Sequence, residues 1–147
     1  MGYAFKLEAL RRFRYYQEEV QQRAFADAQR MVEQAQTQLN DQFLLKKQTE
    51  LEFQELQNDL ITGPRAGIYR SYLNRLAEHI RQYQEKLADC QKDLEQAREA
   101  LLDAMKKRKA IDKLKENEFH AFLEQLNREE IKFIDEMAIN RHTLYQR

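Results

Sequence analysis

The chain has 147 residues, a length that suits one domain, and 34% of them are charged. Basic and acidic residues balance at 25 each, so the net charge is zero and the overall basic excess of a nucleic-acid binder is missing. No run of eighteen apolar residues is present, which argues against a transmembrane helix, and the N-terminus lacks the apolar core of a secretory signal. Three glycines, one proline, no tryptophan and an abundance of Lys, Arg, Glu, Gln, Leu and Ala are the composition of long helices with sustained periodicity.

The first predicted element is a helix from about Tyr3 to Ile61. Its apolar stripe reads Leu7, Leu10, Phe13, Val20, Ala24, Ala28, Met31, Ala35 and Leu39, then Phe43, Phe53, Leu56 and Leu60. The steps are mostly three or four residues, as one helix face requires. Val20 to Met31, Ala24 to Ala35 and Ala28 to Leu39 are each eleven apart, a local period that predicts a straighter stretch. A break follows over residues 62–67. Apart from Gly2, every glycine and the single proline lie between Gly63 and Gly67. Gly63 suits the left-handed conformation that ends a helix, and Pro64 cannot continue one.

The second helix is predicted from about Ile68 to Tyr145. Tyr69, Leu73, Leu76, Ile80, Tyr83, Leu87, Cys90, Leu94, Ala97, Leu101 and Ala104 alternate steps of four and three, an average of about 3.5 that marks a left-handed coiled-coil seam. The seam weakens at Arg108 and resumes near Ile111. One break between two long stripes predicts an all-α fold, an antiparallel coiled-coil hairpin forming a single domain over residues 1–147. Pairing Leu60 with Tyr69 places Leu39 opposite Cys90 and Leu7 opposite Phe122. The paired length is then about 90 Å, at about 1.5 Å per residue. Some twenty residues of the second helix extend beyond the first, among them Ile131, Phe133, Ile134, Met137 and Ile139. Their plainer reading is disorder at the end or a wrong register.

Candidate chemistry is sparse. His79, His120 and His142 are far apart, with no i, i+4 pair to hold zinc, and the glycines near the break lack the Lys-Ser/Thr of a phosphate loop. No catalytic residue, metal site, cofactor or small-molecule substrate is expected. A reducing compartment fits the lone Cys90. The stripe Tyr72, Leu76, His79, Tyr83 falls within about 60° on a helix, and half-exposed aromatic residues are common binding anchors. On spacing alone the plainer reading is that Tyr72 and His79 flank the seam and shield it. The basic run Lys106-Lys107-Arg108-Lys109, with Lys113 and Lys115, could meet acidic loops or nucleic acid. Its plainer reading is a solvated face balanced by Glu18, Glu19 and Asp27.

Several segments taken in order resemble the FliJ family of the bacterial flagellar type III export apparatus. They are Phe5-Lys6-Leu7-Glu8-Ala9-Leu10, the break near Gly63, Tyr69-Arg70-Ser71-Tyr72-Leu73-Asn74-Arg75-Leu76 with Ile80-Arg81-Gln82, Ala110-Ile111-Asp112-Lys113-Leu114-Lys115-Glu116, and Ile134-Asp135-Glu136-Met137-Ala138. The resemblance implies a non-enzymatic two-helix coiled coil similar to the central stalk subunit of rotary ATPases. It implies that the end bearing both termini, with Phe5, Leu7, Leu10, Ile131, Phe133, Ile134 and Met137, engages the export ATPase hexamer. It also implies contacts with the membrane export-gate protein and export chaperones, and a cytoplasmic place at the inner membrane face of the flagellar base, with roles in flagellum biogenesis and chemotaxis. In the family the gate contact carries Phe, Leu, Ala and His where this chain has Tyr72, Leu76, His79 and Tyr83, so two positions are similar and two depart. The competing reading is a structural coiled-coil spacer or adaptor with no ATPase partner.

Overall fold

The computed structural model describes residues 2–60 and 62–145. Two helices account for nearly all of them, α1 (Glu8–Asn58) and α2 (Gly63–Tyr145), and no strand occurs among the described residues. The helices pack against each other antiparallel, so the fold is the all-α hairpin that the two stripes and the single break predict. The chain divides into two compact units. One is Val20–Leu102; the other joins the residues up to Glu19 with those from Asp103 onward.

Within Val20–Leu102, the least exposed positions of α1 are Gln21, Phe25, Ala28, Val32, Ala35, Leu39, Gln42, Lys46, Thr49, Phe53 and Leu56. Those of α2 begin Ala66, Tyr69, Leu73, Leu76, Ile80, Tyr83, Leu87, Cys90, Leu94 and Ala97, then Leu101. Both series alternate steps of three and four, so both helices present one straight seam of a left-handed coiled coil. The α2 series is the one its sequence predicts. The α1 series matches its prediction only at Ala28, Ala35, Leu39, Phe53 and Leu56. Val20, Met31 and Phe43 of the expected stripe are 37%, 49% and 44% exposed, and Phe25 and Val32 face inward in their place. Of the three eleven-residue pairs, only Ala28 and Leu39 both face inward.

Ala35, Leu39, Ile80, Leu87 and Cys90 form the buried core of this unit, with Val32 and Tyr83 packed against it. Each fully buried aliphatic side chain here contributes about 2 kcal/mol, enough to hold helices whose isolated stability is marginal. The buried Thr49 hydroxyl donates to the Leu45 carbonyl at 2.8 Å and so needs no partner across the seam. The Gln42 Oε1 is buried without a hydrogen bond. The register also differs from the expected one. Tyr69 stacks on Phe53, with ring centroids 5.4 Å apart, rather than meeting Leu60. Lys86 donates to Gln38 at 3.3 Å. The helices are thus shifted by roughly one to two turns from the pairing of Leu60 with Tyr69.

The connection explains that shift. The predicted end of the first helix, Ile61, lies outside the described residues, and α1 ends at Asn58. The Asp59 N–H donates to the Leu56 carbonyl at 3.2 Å, a tightened last turn. Leu60 takes the left-handed conformation, with φ 60°, and is 93% exposed; no glycine has positive φ. Gly63 therefore opens α2 rather than closing α1. The Thr62 carbonyl accepts the Ala66 N–H at 3.0 Å as the first helical bond. Pro64 falls in the first turn, where its missing N–H has no helical partner to lose. The helix thus starts at Gly63 instead of Ile68 and absorbs most of the predicted turn.

A side chain at Leu60 pays for its left-handed backbone with no compensating burial. Leu60→Gly should raise stability by about 0.5–1 kcal/mol, the relief of left-handed strain less the entropy that glycine adds to the unfolded chain. Leu60→Ala should leave stability nearly unchanged. Denaturant unfolding of the two variants beside the parent checks this; a destabilised Leu60→Gly variant contradicts it.

Candidate functional site

The stripe near the connection lies within Val20–Leu102 and divides into two kinds of residue. Leu76 is 3% exposed and belongs to the seam, and Tyr83 is half-buried against the core cluster. Tyr72 and His79 are exposed. Tyr72 lines a shallow groove with Pro64, Ile68, Ser71 and Arg75, whereas His79 and Tyr83 line another with Gln82 and Lys86. The four residues share a helix face, and the exposed pair line two separate grooves. Beside them Arg81 is held by Glu78 and Glu85, each at 2.6 Å, and the Glu78 carboxyl sits below its ordinary value because Arg81 hydrogen-bonds to it.

The terminal candidates lie in the other unit. Phe5 is 8% exposed and is part of its interior. Leu7, Leu10, Ile131, Phe133, Ile134 and Met137 are all exposed. Tyr3, which no spacing argument singles out, docks the segment ahead of α1. Its ring meets Phe119 edge-on at 5.2 Å and Phe122 at 5.4 Å. Burial and the neighbouring Glu118 push its phenol up. From Leu123 to Tyr145 every residue of α2 is exposed.

Between these two groups of terminal residues the seam is polar. Arg11, Arg14 and Glu18 on α1, and Arg108 and Lys115 on α2, occupy positions in phase with apolar Ala104, Ile111 and Phe122. Glu18 is 8% exposed and receives Arg108 Nε at 2.6 Å. Arg108 also reaches Asp112 at 3.3 Å, and Asp112 accepts Arg11 Nε at 3.0 Å and the Tyr15 hydroxyl at 2.7 Å. The Tyr15 ring lies 4.8 Å from the Arg11 guanidinium and 5.6 Å from that of Arg108. Glu8 closes the network, accepting Arg11 and Lys115 at 3.2 Å each. Burial drives the Asp112 carboxyl up, but the hydrogen bonds from Tyr15, Arg11 and Arg108 outweigh it and hold it below its ordinary value. The hydrogen bond from Lys115 likewise holds Glu8 down, and the one that Arg108 donates to Glu18 raises Arg108.

The basic run is therefore not one solvated face. Arg108 turns inward to Glu18, one of the three acids expected to balance the run, while Lys107 pairs with Asp103 along its own helix at 3.1 Å. The signal was present in the sequence: Arg108 falls in phase, four residues after Ala104 and three before Ile111. A charge at a seam position needs an opposite charge across it. Among the described residues no group of three His, Cys, Asp or Glu side chains could hold a metal ion, and no described helix is long and apolar enough to cross a membrane.

Comparison with known proteins adds one finding. The family described as "Flagellar FliJ protein" matches residues 3–147. The chain belongs to the FliJ family. Neither a search of curated proteins nor one of solved structures yields a match. FliJ membership makes the chain an export-related component of the flagellum, in a family of structural export components.

The network generates a stability prediction. Glu18→Leu leaves Arg108 half-buried and short of its closest partner. It should cost about 2 kcal/mol, less than a fully buried pair because both side chains keep some water contact. Glu18→Leu with Arg108→Leu should recover most of that loss. Thermal or urea unfolding of the single and double variants gives the comparison, and equal stability of the single variant and the parent would show that the pair contributes nothing.

Proposed function

We propose that this FliJ-family chain is a stalk-like component of the flagellar export apparatus that engages the export ATPase hexamer through the unit containing both termini. The family match across residues 3–147 carries the reading. The exposed Leu7, Leu10, Ile131, Phe133, Ile134 and Met137 support that unit as the contact, since exposed apolar side chains on helices suit a partner surface. Phe5, being interior, serves the contact by holding the segment in place. Tyr72 and His79, with the rims of Leu76 and Tyr83, contact the membrane export-gate protein, and export chaperones are further partners. The chain acts in the cytoplasm, held peripherally at the membrane base of the flagellum, and serves chemotaxis only through flagellum assembly.

A structural spacer without an ATPase partner is the second reading. It draws on the burial of Leu76 and the half-burial of Tyr83, which reduce the proposed gate surface to two exposed side chains, one of them, Tyr72, only 38% exposed. The two readings part on ATPase stimulation. Removing the residues after Arg128 should abolish stimulation of the export ATPase while helicity falls only in proportion to the residues lost. Undiminished stimulation by the shortened chain assigns the contact elsewhere, and no stimulation by the full chain favours the spacer.

For the gate surface, Tyr72→Ala with His79→Ala should weaken binding to the export-gate protein at least tenfold, about 1.4 kcal/mol, with little change in melting temperature. Early melting would make the two residues structural, and full-strength binding by a stable variant would remove them from the contact.

A further inference from the structure

Beyond Phe122 the seam of α2 ends. Continuing its alternation of three and four lands on Gln125, Glu129, Lys132 and Glu136 before it meets an apolar residue again at Ile139. The apolar residues do not end there. Leu123, Leu126, Phe133, Ile134, Met137 and Leu144 fall within an arc of about 100°, at about 100° per residue, displaced by one residue from the seam. They are 41–72% exposed. Leu123, Leu126, Glu130, Phe133 and Met137 themselves follow steps of three, four, three and four. This is a second coiled-coil stripe, rotated off the first, that the hairpin leaves open.

Its charges are arranged on one side. Glu130 lies inside the arc, and Glu129 and Glu136 run along one margin. All three are exposed, and no ion pair ties any of them among the described residues. The bases Arg128 and Lys132, with Asp135, lie on the opposite side of the helix. The one base within the arc is Arg141, beyond Met137.

From this arrangement we infer that residues 123–144 dock one helix of another protein, amphipathic, with an apolar face flanked by Lys or Arg. The three-and-four spacing asks for a helix rather than a strand or a loop. Glu130 within the stripe and Glu129 and Glu136 beside it ask for bases facing them, since a seam charge needs an opposite charge across it and charges beside a coiled-coil seam select the partner. A second copy of the chain fits less well, because it brings one base, Arg141, against Glu129, Glu130 and Glu136. The inference rests on the terminal unit being a partner-binding end, and it specifies the chemistry of what binds there.

Two designed 24-residue peptides test it. Both carry Leu and Ile at the seam positions other than the one that meets Glu130; one has Lys and the other Glu at that position and at every flanking position. Titrated into the full-length chain, the Lys peptide should bind at least tenfold tighter than the Glu peptide. Glu129→Lys with Glu130→Lys and Glu136→Lys should reverse that order. Phe133→Gln with Met137→Gln, exposed positions given a good helix former, should abolish binding of the Lys peptide with helicity unchanged. Sedimentation should show the chain alone as a monomer. Absent binding, equal binding of the two peptides, or a preference that survives charge reversal overturns the inference. So does a dimer that Phe133→Gln with Met137→Gln dissociates, which would make the occupant a second copy. No ATPase is present in these measurements. A lost ATPase response with intact peptide selectivity therefore fails the proposed function alone, and the reverse result fails the inference alone.

Discussion

Everything in this molecule depends on a seam that repeats every 3.5 residues. Two helices of 51 and 83 residues have no other means of staying folded, because neither has a compact core to join. A side chain in phase with the seam is removed from water whatever its chemistry, and one out of phase is not. The rule explains why Thr49 and Glu18 are buried while Phe13 and Phe133 are 50% and 63% exposed. Hydrophobicity alone orders these residues the other way. The seam therefore acts before composition in deciding which side chains are available to partners.

The two units apply this rule with different chemistry. In Val20–Leu102 the in-phase residues are mainly apolar, and dispersion with apolar burial supplies the stability. In the other unit the in-phase positions include Arg11, Glu18, Arg108 and Lys115, joined by Asp112 and Glu8 from the seam's margin. Three acids and three bases balance there, so the network carries no net charge. Such a network adds little stability over an apolar seam of the same shape, since desolvation offsets most of the attraction. It discriminates among registers more sharply than leucines do. Sliding the helices by one turn would part Glu18 from Arg108 and bury both without partners, whereas a slid leucine still finds apolar surface.

This difference also governs how much could be read from the sequence. The α2 seam from Tyr69 to Ala104 was legible because one apolar series fits the period and no other competes. On α1 two series compete. Val20, Ala24 and Met31 form one arc, and Phe25, Val32 and Leu39 another. A straight helix of 3.6 residues per turn drifts by about 20° per heptad relative to a 3.5 repeat, so eleven-residue spacings link members of the first arc convincingly. Only the strict period of α2 selects the second, and that is information from the partner helix rather than from α1. The break was placed over residues 62–67, whereas α1 ends at Asn58 and α2 opens at Gly63, because Pro64 stops one helix and starts another equally well. Of the stripe Tyr72, Leu76, His79 and Tyr83, the seam membership of Leu76 and Tyr83 was readable. The separation of Tyr72 from His79 into different grooves was not, since it depends on which neighbours rise beside each. The inward turn of Arg108 was available from its phase and was obscured by its three lysine neighbours.

The same phase argument gives meaning to the end of α2. A helix whose apolar residues simply faded after Phe122 would be an overhang with no task, and its stability would be marginal. Here they continue, moved by one residue, at the point where seam positions turn polar. A shift of one residue rotates the apolar face by about 100°. Two stripes so arranged cannot both be buried by a single straight partner, so α1 could not cover the second stripe even if it were longer. The first stripe closes the hairpin and the second is left for something else. The polar residues at Gln125, Glu129, Lys132 and Glu136 keep the two apart, because any partner that followed the first seam outward would meet charge instead of leucine.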